Sequence, residues 1–248
     1  MRLGARIRRA VACGVCGWVL AASIGCGDGG GGGGGSGSVN ASGVKQYDAA
    51  ALPKVAFNLP PLDGGRVEVP TPDGWAPAAQ RKGNLAIFFL KGRSGFPQMI
   101  LKVEEGGGET TTPANVVAYS DKIQAELNQQ EAEKKSRVLE AAKPMQLGGN
   151  AWVRYVLAGR LPGKELATIE RQVLKTCSGG RVYTLELQVR GQIGDHRDHA
   201  YAVAAGIKFN PSATGAPEAP SAADAKPDAD PAADAKPDGA AKPDGESK

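Results

Sequence analysis

Ser178-Gly179-Gly180-Arg181-Val182-Tyr183-Thr184-Leu185-Glu186-Leu187-Gln188-Val189-Arg190 is the stretch whose pattern decides the fold class. Tyr183, Leu185, Leu187 and Val189 alternate with Thr184, Glu186, Gln188 and Arg190, and a period of two sets the two groups on opposite faces of one strand. The pattern predicts a strand covered on one face and wet on the other, the habit of antiparallel sheets. Ser178-Gly179-Gly180 accepts the positive φ of a hairpin turn, which places Cys177 at the end of the strand before it.

Working outward, three more runs bounded by Gly, Pro or Asn precede this hairpin, at 137–147, 151–161 and 166–176. They read as further strands in meander order. Upstream of them, Val116, Tyr119, Ile123 and Leu127 recur at helical spacing, with Thr112 as N-cap and Pro113 at the first helical position, predicting a helix to about Lys134. Earlier still, Val67 and Val69 followed by Pro70-Thr71-Pro72-Asp73-Gly74-Trp75 predict a strand and turn, and 85–90 and 99–103 two buried strands. Downstream, Asp195 is expected to cap a short helix to about Ala205, with Ile207 and Phe209 closing the core. The fold class is therefore α+β, an antiparallel sheet sandwich with flanking helices over residues 63–210, a usual size for one domain.

Val67-Glu68-Val69-Pro70 with Pro72-Asp73-Gly74-Trp75, Arg181-Val182-Tyr183-Thr184-Leu185, and the closing segment Tyr201 to Phe209 resemble the Mog1/PsbP-like fold. Its members include the photosystem II subunit PsbP, the Ran-binding protein Mog1 and assorted bacterial lipoproteins. The resemblance covers nearly all of residues 63–210 and rests on packing and turn positions, so it implies a fold, and a family made mostly of binding and assembly modules, without implying a reaction.

The flanks give the address. Arg2, Arg6, Arg8 and Arg9 precede an uncharged apolar stretch from Ala10 to Ile24. That is the pattern of a signal peptide at residues 1–25, too short for a resident spanning helix, which needs about 20 residues. Ser23-Ile24-Gly25-Cys26 resembles the lipobox of lipoprotein signal peptidase, with Ser23 where leucine is usual, and so implies lipidation of Cys26. The expected location is the periplasmic side of the envelope, anchored in the inner or outer membrane by lipid. Residues 26–62, with Gly29 to Gly35 in one run, read as a flexible linker. Residues 211–248, with Ala-Lys-Pro-Asp at 225–228, 235–238 and 241–244, read as a disordered Ala/Pro/Asp/Lys tail.

Charge excludes one class of partner. The formal charge of +4 equals the four signal-peptide arginines, and no acid precedes Asp28, so the mature chain is balanced. Nothing in it has the concentrated basic footprint of a nucleic-acid binder. Cys13-Gly14-Val15-Cys16 lies in the signal core and is read as coincidence, which leaves Cys177, expected to be buried, as the only cysteine besides Cys26.

Chemistry is sparse. Asp195-His196-Arg197-Asp198-His199 holds both histidines, and on a helix His196 and His199 with Asp198 could ligate a transition metal. The competing reading is a solvated first helical turn whose acids complement the dipole. Gly92-Arg93-Ser94-Gly95-Phe96 misses the Gly-x-Ser-x-Gly elbow at its last position. Glu104-Glu105, Glu131 and Glu133 read as solvated charge, and Trp75 and Trp152 as core. No catalytic residue and no cofactor is assigned. The sequence thus points to a non-enzymatic lipoprotein that holds a protein partner, or alternatively to a periplasmic small-ligand or metal-binding protein.

Overall fold

The computed structural model describes residues 37–40, 43–79, 81–93, 95–159 and 169–213. The signal segment, Cys26, the glycine run, Ser94 and the tail beyond 213 lie outside them. Among the described residues nine strands form one sheet in the order β1 (Gly37–Val39), β2 (Lys45–Tyr47), β9 (Val138–Leu147), β10 (Asn150–Ala158), β11 (Ile169–Ser178), β12 (Arg181–Arg190), β8 (Gln98–Glu105), β7 (Asn84–Leu90) and β6 (Trp75–Pro77). All neighbours are antiparallel except β2 and β9, which run parallel. Two small pairs flank the sheet: β3 (Val55–Asn58) with β5 (Pro70–Pro72), and β4 (Val67–Glu68) with β13 (Lys208–Phe209).

The α+β order is as expected, but the layers are those of one sheet between helices. Alternation along β10 shows why. Trp152 and Val156 pack with Ala200 to Ala204 of α2 (Arg197–Gly206), while Val153, Tyr155 and Leu157 pack with Val116, Ile123 and Leu127 of α1 (Val116–Ala132). Residues one apart on a strand point to opposite faces, so the two helices cover opposite faces of the sheet. Each large apolar side chain so buried contributes about 1.5–3 kcal/mol.

Residues 37–62, read as linker, carry β1, β2 and β3, with Val44 wholly buried under α1 and Leu52 in the larger core. No periodic pattern in them signals this, because they are held by pairing to β9 and β5 rather than by a repeat of their own. Ten residues, 27–36, are left between Cys26 and β1. At the other end the chain stays attached past 210, since Arg66 Nε donates to the Ala213 carbonyl at 3.0 Å.

Both helix starts differ from the expected caps. Thr112 does not cap α1, which begins at Val116 after a turn over Pro113–Asn115. Asn115 closes that turn, its Oδ1 accepting from Thr112 N at 2.7 Å and its Nδ2 donating to Thr110 O at 3.0 Å. Thr111 meanwhile exchanges bonds with Cys177, its N donating to Cys177 O at 2.9 Å and its Oγ1 accepting from Cys177 N at 3.0 Å. That tie to β11 holds the segment extended and delays the helix. Asp195 likewise caps nothing: it sits inside a 3₁₀ turn, Gly194–His196, and the amide of Ile193 is satisfied from β11 by Glu170 Oε2 at 2.9 Å.

Candidate interaction face

The histidines meet at Trp75. The buried Trp75 ring lies 6.2 Å from His196, edge-on, and 5.8 Å from His199, and the two imidazoles are 6.2 Å apart. Trp75 Nε1 and His199 Nδ1 are buried without a hydrogen-bond partner in the protein. Among the described residues no group of three or more His, Cys, Asp or Glu is placed to hold a metal ion, so Asp198 does not complete a ligand set with the pair. Burial holds both imidazoles below the usual histidine range. Arg93 works in the same direction on His196, and His196 on His199, while Asp195 and Asp198 oppose them.

A histidine depressed in the folded state favours the neutral form, so its contribution is intact above about pH 6.5 and is lost as pH falls through the folded value. Urea midpoints should therefore fall between pH 7 and pH 5.5, a window above the carboxylate range, and the fall should shrink in the His196→Ala/His199→Ala variant, whose midpoint at pH 7 stays near wild type. Equal pH slopes in the two proteins would sink this reading.

On the same face of the sheet, Arg154 is 5% exposed and grips Glu140 with two bonds, at 2.6 and 2.8 Å, while its Nε donates to Gln172 at 3.1 Å. The guanidinium holds the Glu140 carboxyl below its ordinary range. Arg197 joins Glu140 at 3.3 Å and so pins the first turn of α2 to β9. This cluster is structural.

The opposite face is covered unevenly. α1 packs on β9 and β10 and reaches Val173 and Cys177 of β11, which leaves β12, β8 and β7 beyond it. The register lays out rows across this part: Arg171, Gln188, Gln98 and Phe89; Val173, Glu186, Ile100 and Ile87; Lys175, Thr184, Lys102 and Asn84. Here the expected wet face of β12 needs correction, because Glu186 at its centre is only 2% exposed. Its Oε1 accepts from Arg171 Nε at 2.6 Å and Gln188 Nε2 at 2.6 Å, and its Oε2 from Lys102 Nζ at 3.1 Å. Burial would raise the Glu186 carboxyl; Arg171 and Lys102 overcome it and hold the group ionised below the usual range. Gln98 Nε2 donates to Gln188 Oε1 at 2.7 Å and extends the network to β8. Two cations, Arg171 and Lys102, thus hold one buried carboxylate on the part of this face that lies beyond α1 among the described residues.

The other sequence candidates fall into structural places. Cys177 is buried as expected, and its Sγ meets Tyr119 Oη at 3.4 Å on the α1 side, away from both histidines. Burial and the thiol push the Tyr119 hydroxyl well above its ordinary value. Trp75 and Trp152 are core. Glu105 pairs with Arg181 at 3.2 Å and Glu133 with Lys135 at 2.5 Å, while Glu131 accepts from the Val138 amide at 3.3 Å. The Glu186 network went unpredicted because its members lie on three strands, with no spacing in the chain to connect them. The only local signal was an acid in the middle of an otherwise regular strand.

Layers and face together define a class: an α+β domain of one sheet between two helices, with a polar, pre-ordered half-face. No family model matches the sequence, and no curated protein matches it. Among solved structures the chain is similar to a protein from Bacteroides thetaiotaomicron VPI-5482, at 13% identity and TM-score 0.43 over 63% of this chain and 49% of that one. It is also similar to the cyanobacterial PsbP of Synechocystis sp. PCC 6803, at 15% identity and TM-score 0.37 over 58% and 86% of the two chains. The Saccharomyces cerevisiae Ran-binding protein Mog1p follows, at 11% identity and TM-score 0.40 over 63% and 96%. The chain spans about half the length of the Bacteroides protein. These are likenesses of fold.

Proposed function

We propose that this chain is a non-enzymatic lipoprotein of the cell envelope, anchored through lipid on Cys26, that holds an acidic protein partner on the half-face of β11, β12 and β8. The buried Glu186 beneath Arg171 and Lys102 carries the reading. Cations fixed by a shared carboxylate lose little side-chain freedom on binding, so a partner meets a pre-ordered surface. Lys175, in the same row as Thr184 and Lys102, adds a third positive charge and sets the preference for acid.

Anchor and face are tested separately. Cys26→Ser should move the processed protein from the membrane pellet to the soluble fraction, because each acyl chain contributes about 0.8 kcal/mol per buried methylene. Retention in the pellet would count against the lipid. For the face, cross-linking in membranes should give a defined adduct that Lys175→Glu loses and Lys208→Glu, on the far edge strand β13, retains. An adduct indifferent to Lys175→Glu would overturn the assigned surface.

A further inference from the structure

Where the half-face meets the end of α1, a cleft of about 160 Å³ opens between Arg171 and Gln188 on the sheet and Lys135 beyond the helix, walled by Phe96, Ile169 and Ala158. We infer that this cleft is a carboxylate-binding site, taking a short monocarboxylate or the terminal carboxylate of a peptide.

The anchor is Arg171. Its Nε is committed to Glu186, a carboxylate itself buried and held by Lys102 and Gln188, so the plane of the guanidinium is fixed. The side chain stays 34% exposed and lines the cleft, and among the described residues its terminal nitrogens carry no hydrogen bond or ion pair. A guanidinium held along one edge presents the other as a rigid fork, the geometry that matches a planar carboxylate. Lys135 supplies a second charge. Its present partner, Glu133, forms an exposed pair of the kind worth at most about 1 kcal/mol, which an incoming anion can replace.

Size and field narrow the ligand. The volume is about half the lower bound of ordinary ligand pockets, roughly 300 Å³, and so admits a carboxylate on a few carbons and excludes sugars and nucleotides. Lys135 lies three residues past Ala132, the last residue of α1, near a helix end where the dipole is negative and disfavours a dianion. The apolar wall suits the short carbon chain and lowers the local dielectric around the ion pair. The site stands independently of the proposed partner, since a free acid suffices to occupy it.

The test is a proton–nitrogen correlation titration of the full mature chain carrying Cys26→Ser, following the Arg171 Nε–H and the amides of Gly159 and Ile169. The probes are propionate, acetyl-Ala-Ala, its C-terminal amide and inorganic phosphate. Saturable shifts with propionate and the peptide acid are expected, with none from the amide and binding about tenfold weaker for phosphate. Tighter binding of the peptide acid assigns the site to a chain terminus, and equal binding assigns it to free acids. Arg171→Lys keeps a cation beside Glu186 and should weaken binding about tenfold by losing the fork. Lys135→Gln, on the surface, guards against a folding defect and should weaken it about two- to threefold. No saturable shift, an amide that acts like the acid, phosphate as good as propionate, or indifference to both substitutions would each overturn the inference.

Discussion

Glu186→Ala will lower the stability of the domain by about 3 kcal/mol, the low end of the cost of removing one partner from a buried ion pair. The low end applies because Arg171 and Lys102, each about a third exposed at 34% and 37%, can recover water once the carboxylate is gone. The substitution also orphans Gln188 Nε2 and leaves a void among three strands. Glu186→Gln retains the shape and some hydrogen bonds and should cost clearly less. Urea denaturation at pH 7 measures both. A loss below 1 kcal/mol for the alanine variant would show that the cluster is solvated rather than ordered, and would remove the support for the interaction face. The pH dependence carries a second check. Glu186 is depressed in the folded state, so its stabilisation is present above about pH 4.5, the unfolded carboxylate value, and disappears as pH falls through the folded one. The alanine variant should therefore lose less stability than wild type on going from pH 5 to pH 3.

Gly148→Ala should be comparably damaging, at about 2–5 kcal/mol, by an unrelated route. Gly148 and Gly149, both at positive φ, form the two-residue turn that joins β9 to β10. An alanine at φ +56 pays roughly 1–2 kcal/mol for its conformation. Its Cβ would also overlap the carbonyl oxygen of Ala205 in the last turn of α2, a backbone group that cannot swing aside. Overpacking of this kind costs about 1–3 kcal/mol. The same hairpin is held to the end of α2 by Asn150 Nδ2, which donates to Ile207 O at 2.7 Å, so the clash would be felt in that bond as well. Gly149→Ala, where a Cβ meets open space, should show the conformational part alone. Thermal or urea denaturation of the pair separates the two terms. Equal losses would mean that α2 yields to the Cβ.

The class of fold was legible in the chain because β12 and α1 carry their own periodicity. The apolar side of the expected alternation, Tyr183, Leu185, Leu187 and Val189, is the buried face of β12, with Glu186 the exception on the other side, and the helical stripe ending at Leu127 is the buried face of α1. Signals of that kind are local: burying one face of an element requires apolar residues at its own repeat. The strands at 37–58 lacked such a repeat and were read as linker. They are ordered by neighbours far along the chain, β2 by β9 and β3 by β5. The caps failed for the same reason. Thr112 and Asp195 have suitable side chains in suitable places, but Asn115 takes the Thr112 amide into a turn ahead of α1 and the distant Glu170 takes the Ile193 amide, so that each helix starts later without a side-chain cap.

What the sequence determined by itself is therefore the set of strongly periodic elements and the buried position of Cys177, Trp75 and Trp152, each fixed by residue type and local spacing. Only the tertiary structure decided that the two helices take opposite faces of one sheet, that His196 and His199 close on Trp75, and that Glu186, Arg171 and Lys102 meet around one buried carboxylate. Those outcomes depend on strand register, and register brings together residues as far apart as Lys102 and Glu186 by backbone hydrogen bonds that no spacing along the chain records.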